Sequence, residues 1–152
     1  MVEEQEQVQV QEQEQDKELL IWKRDTWGSF GQHSNIYTFV IDPETSEIKA
    51  IYELVTVRHE NRDSSKNYHR YTYAKLSEII SKLNGKIIKS VHDYKSSRKR
   101  VISVSYYLVT SEGLKEIKAE KSLKDNKGFF DKIELDDKVV IVRKDSVEVI
   151  KK

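Results

Sequence analysis

Seven bases crowd one part of this chain: Arg62, Lys66 and Arg70, then Lys95, Arg98, Lys99 and Arg100, the last four falling within six residues. Clustered Lys and Arg neutralise phosphates, and such binding is tight at low salt and weak at high salt. Arginine adds planar stacking and bidentate contacts. Tyr68, Tyr71, Tyr73 and Tyr94 are interleaved with these bases, and rings beside cations suit stacking on unpaired nucleobases. Plainer roles compete. Charge can simply solubilise a turn or guard a sheet edge, and tyrosine is common in strands for packing reasons.

Acids and imidazoles stand among the same bases: His59, Glu60, Asp63, His69, Glu78, His92 and Asp93. Cutting a phosphodiester needs an acid or a metal ion to activate water, and cations to stabilise the charge that develops. The first expectation is therefore a nucleic-acid-binding protein, DNA ahead of RNA. The second is a nuclease on the same surface, with Glu60, Asp63, His69 and Glu78 as catalytic candidates and Mg²⁺ as the ion it would use. No residue spacing defines a metal site. Glu78 also has Lys82 four residues on, the spacing of an ordinary helix-surface pair. The third expectation is a protein-interaction or inhibitor module that meets a partner through its tail or edge strands.

Other chemistries are excluded by what is missing. There is no cysteine, so thiolate zinc sites, disulfides and cysteine nucleophiles are absent together. The five glycines, at 28, 31, 85, 113 and 128, form no phosphate cradle. No run of 18 apolar residues and no basic-then-apolar leader occurs, so the expected compartment is the cytoplasm and a membrane is not an expected partner.

The net charge of +1 over 152 residues conceals a division along the chain. Residues 58–100 hold twelve Lys/Arg against four Asp/Glu, whereas residues 1–18 hold seven acids and one base. That N-terminal stretch alternates Glu, Gln and a few Val, too little apolar surface to offset chain entropy, and is expected to be a disordered tail. Charged residues make up 35% of the chain, with one proline and one methionine, a balance found in proteins from hot environments. In small size, lysine and tyrosine richness and lack of motifs, the chain resembles the orphan proteins of viruses infecting hyperthermophilic archaea. The resemblance is compositional; it implies a thermophilic protein working in the host cytoplasm.

The remainder, residues 19–152, reads as one α+β domain of antiparallel β-hairpins packed on one amphipathic helix. A first strand is expected at Leu19, Leu20, Ile21 and Trp22, with a bend at the glycines of 27–31. A hairpin follows, from strand 36–41 through the turn 42–47 to strand 48–57, with Tyr52 among its strand residues. Residues 58–71 lack periodicity and read as a long polar loop. Leu76, Ile79, Ile80 and Leu83 recur at helical spacing, Thr72 is the expected N-cap and Gly85 the stop. A second hairpin runs from 86–94 to 99–110, turning at 95–98, with Ile102, Val104, Tyr106 and Leu108 on one face. Beyond it a charged helical stretch is expected near 113–125, a turn at 126–128, and strands near 139–143 and 146–150.

Overall fold

The computed structural model describes residues 17–28 and 31–152, so most of the expected tail lies outside the described residues. The chain runs β1 (Glu18–Trp27), β2 (Gln32–Asp42), β3 (Glu47–Ala50), a 3-10 turn (Ile51–Glu53), β4 (Arg58–Asn61) and β5 (Tyr68–Lys75). Helix α1 (Leu76–Leu83) follows, then β6 (Ile87–Lys95), β7 (Arg100–Thr110) and β8 (Gly113–Ile117). The C-terminal part is β9 (Glu120–Asp125), β10 (Gly128–Glu134), β11 (Lys138–Val142) and β12 (Val147–Lys151).

The fold is thus antiparallel β, with 63% of the described residues in strands and 8% helical, and not the α+β arrangement of hairpins packed on a helix. The physical reason is that α1 spans only eight residues, too little to carry a layer. Two stretches without strand-like patterning complete the sheets instead. The expected polar loop at 58–71 contracts to residues 62–67, because β4 and β5 pair directly from Arg58↔Tyr73 to Asn61↔Arg70. The expected helical stretch at 113–125 is β8 on the edge of β7 and β9 on the edge of β10. Positive φ at Gly113 (134°) and Ser122 (59°) is incompatible with a continuous helix there.

The larger sheet has the order β4-β5-β1-β2-β6-β7-β8. Strand β2 pairs with β6 from His33 to Ile41 along one edge. Its other edge is divided, β1 taking Gln32 to Ile36 and β3 taking Phe39 to Asp42. The second sheet has the order β12-β11-β10-β9.

Adjacent residues of β2 and β6 feed two different cores, as strand alternation requires. Val40 and Ile88 join Ile21, Ile51, Val55, Ile79, Leu83 and Val109 under the helix. Ile41 and Ile87 join Tyr106, Ile133, Val140, Val142 and Val147 against the second sheet. The Tyr106 hydroxyl donates to Asp131 Oδ2, and burial followed by this bond pushes its phenol strongly up. Both cores occupy one end of the long strands: in β7, residues 100–103 are exposed, while Tyr106 and Val109 are 1% exposed.

Helix α1 begins without a side-chain cap on Lys75; the Leu76 amide donates to the Lys17 carbonyl instead. Thr72, the expected cap, is buried in β5 and shares a hydrogen bond with His59. Gly85 adopts φ 85°, the left-handed conformation expected of the stop. The strand expected over 48–57 ends at Ala50, where the 3-10 turn drives Ile51 into the core and leaves Tyr52 54% exposed. Among the described residues no helix is long and apolar enough to cross a membrane.

Candidate nucleic-acid interface

Three hairpin ends meet at the open end of the larger sheet. Asn61 pairs with Arg70, Arg70 with Arg24, Arg24 with Asn35, Asn35 with Asp93 and Asp93 with Ile102. Beyond this row lie the 62–67 loop, Gly28 and Gly31 at the ends of β1 and β2, and the 96–99 turn. The two basic segments of the sequence therefore share one end of the sheet, separated by the β1–β2 hairpin.

On one face of β4, β5 and β1, charges satisfy one another. Arg58 pairs with Glu18 at 2.9 Å and with Glu60 at 3.7 Å, and Arg62 pairs with Glu60 at 2.8 Å. Both guanidiniums also cover rings, Arg58 over Tyr73 at 4.6 Å and Arg62 over Tyr71 at 5.3 Å. The hydrogen bond and charge of Arg62, with Arg58 behind it, hold the Glu60 carboxyl below its ordinary value. Asp25, 8% exposed, accepts from His69 Nδ1 at 2.9 Å and lies 3.2 Å from Lys23 Nζ. Burial pushes the Asp25 carboxyl up, but hydrogen bonds from His69, Tyr71 and Lys23 together leave it below its ordinary value.

The opposite face of the same strands carries two rows. Trp22, Thr72 and His59 are direct neighbours, and so are Arg24, Arg70 and Asn61 two residues further on. On these three strands neither row contains a carboxylate; the second reaches one only at Asp93, two strands beyond Arg24. Every residue of the two rows on these strands except Arg24, together with Tyr52 and Tyr71, lines a concavity of about 590 Å³. His59 Nδ1 shares a 2.9 Å hydrogen bond with Thr72 Oγ1.

The sequence-predicted catalytic residues separate into two places. Glu60, Asp63 and His69 lie together on the β4–β5 hairpin, where the Asp63 carboxylate accepts the His69 amide at 3.2 Å. Glu78 sits on α1, paired with Lys82 at 2.8 Å and accepting the Thr56 amide at 2.9 Å. Both bonds hold its carboxyl below the ordinary value. Among the described residues no group of three His, Cys, Asp or Glu is gathered closely enough to hold a metal ion.

Of the predicted phosphate contacts, Lys66, Arg70, Lys95, Arg98 and Lys99 have no ion pair with a described carboxylate, and neither has Arg24. Arg62 is engaged with Glu60, and Arg100 bonds Asp93 through Nε at 3.2 Å and a terminal nitrogen at 2.9 Å. That bond is the first cause of the lowered Asp93 carboxyl. Lys99 lies 5.9 Å from the Tyr94 ring centre. Sequence reasoning missed Trp22, Arg24, Tyr52 and Asn61. Trp22 reads as part of an apolar run and Tyr52 as a strand residue, whereas Tyr52 lies in the 3-10 turn and only the tertiary structure brings the two to one concavity.

Comparison with protein-family models, with curated sequences and with solved structures finds no match to this chain.

Proposed function

We propose that this protein binds nucleic acid, DNA ahead of RNA, with the open end of its larger sheet. The supporting observation is the convergence of the three hairpin ends, which gathers Arg24, Lys66, Arg70, Lys95, Arg98 and Lys99 without a described carboxylate partner. Six cations at one end of a sheet raise the local positive potential, which favours the approach and binding of a polyanion. The β4–β5 and β6–β7 ends lie four strand spacings apart, roughly 19 Å. Over that length duplex DNA carries about eleven phosphate charges, enough for every one of these cations.

Fluorescence anisotropy of labelled oligonucleotides between 50 and 200 mM salt tests the proposal. Affinity should fall linearly on a logarithmic salt scale, with a slope set by the phosphates neutralised. Absence of binding at the lowest salt, or binding insensitive to salt, overturns it. The same mixtures with Mg²⁺ or EDTA report strand scission; Mg²⁺-dependent cleavage that Glu60→Gln abolishes would extend the function from binding to hydrolysis.

A further inference from the structure

We infer that the concavity on the open face of β1, β5 and β4 takes an unpaired nucleobase, with Arg70 on its phosphate, so that the protein engages single-stranded nucleic acid. The inference deepens the nucleic-acid reading above and rests on it.

The lining contains no aliphatic side chain. Trp22 and Tyr52 supply ring surface, while His59, Asn61 and Arg70 supply polar groups, a combination that suits a flat aromatic group with polar edges. At about 590 Å³ it falls within the range of pockets that enclose small ligands and is far too small for a duplex. Paired bases offer only their edges; ring faces become available to Trp22 and Tyr52 when a base is unstacked.

The polar groups are arranged to complement this stacking. His59 commits Nδ1 to Thr72, leaving Nε2 without a described partner, and the Asn61 amide offers both a donor and an acceptor to a base edge. Arg70 and its row neighbour Arg24 stand one row beyond Trp22, towards the hairpin ends, where the strand backbone would continue to the 62–67 and 96–99 segments. A neutral sugar could also stack on Trp22 and Tyr52, but it would leave the two guanidiniums uncompensated.

The test uses the full chain with three labelled probes: a 20-nucleotide single strand, the blunt duplex of the same sequence, and a single strand containing a run of abasic positions. Trp22→Ala and Tyr52→Ala should each weaken single-strand binding about 5–150-fold, the equivalent of the 1–3 kcal/mol that base stacking contributes. Duplex binding should be unchanged, and the abasic strand should bind the unsubstituted protein no better than the intact strand binds Trp22→Ala. Tyr52 is exposed, so its substitution tests the site even if Trp22→Ala fails to fold. Equal weakening of single strand and duplex, or undiminished single-strand binding by the Tyr52 variant, overturns the pocket inference and leaves the general binding proposal standing. No binding of any probe by the unsubstituted protein removes both.

Discussion

The two faces of β4, β5 and β1 are built from alternate residues of the same short strands, yet their chemistry is opposite. One carries Asp25 and Glu60, which absorb Lys23, Arg58, Arg62 and His69 into a closed set of ion pairs and hydrogen bonds. The other carries Arg24 and Arg70 with no carboxylate beside them on these three strands; Asp93, two strands beyond Arg24 in the same row, is held by Arg100. Alternation alone separates them, since every second side chain points the same way. A net basic segment is therefore a poor guide to where charge is available. Its acids can all be spent on one side, leaving the cations of the other side free.

The comparison breaks most readily in binding. Replacing Arg24 and Arg70 together by alanine should flatten the salt slope by about 1.4 for single strands or 1.8 for duplexes and weaken binding at 50 mM salt by roughly 10–100-fold. Thermal stability should be unchanged. If instead the double variant unfolds at lower temperature and binds normally, the open face is structural and the contrast between the faces fails.

The closed face should respond in the other direction. Asp25→Ala leaves the His69, Tyr71 and Lys23 donors without their shared acceptor in a buried place, and should cost about 1–3 kcal/mol in denaturant unfolding, with binding at matched folded fraction unaffected. The Asp25 carboxyl is lower in the folded state than in the unfolded chain. Its contribution is therefore complete above the unfolded value of about 3.9 and is lost as pH falls through the lower folded value. Melting curves of the parent should decline steeply below about pH 4, and those of Asp25→Asn should decline less.

A finer distinction falls within the 95–100 turn. Arg98→Ala and Lys99→Ala should each lower the salt slope by about 0.7 for single strands or 0.9 for duplexes, because neither side chain has a carboxylate to leave. Arg100→Ala should lower it by less, since its guanidinium already serves Asp93. Equal slopes for all three would mean that the Arg100–Asp93 pair opens when nucleic acid binds. The smallest expected change is that of Glu60→Gln. Freed from Glu60, Arg62 should raise affinity about two- to threefold at 50 mM salt, consistent with one more available cation at the hairpin end, while Arg58 stays paired with Glu18.

Part of this was legible in the residues themselves. The basic segments, a helix around Ile79 and Leu83, the left-handed stop at Gly85 and the β6–β7 hairpin follow from composition and periodicity, which are local properties. So does the placement of Arg98 and Lys99 on a protruding turn. Tertiary structure decided the rest. Arg58 to Asn61 form a strand because β5 offers a free edge for hydrogen bonding, and no pattern of four polar residues announces that. Residues 113–125 pair on the edges of β7 and β10 for the same reason, so the chain is a β protein rather than hairpins on a helix. The concavity is the least local feature of all: backbone pairing between β1, β5 and β4 sets Trp22, His59 and Arg70 side by side, and the 3-10 turn after β3 brings Tyr52 to them.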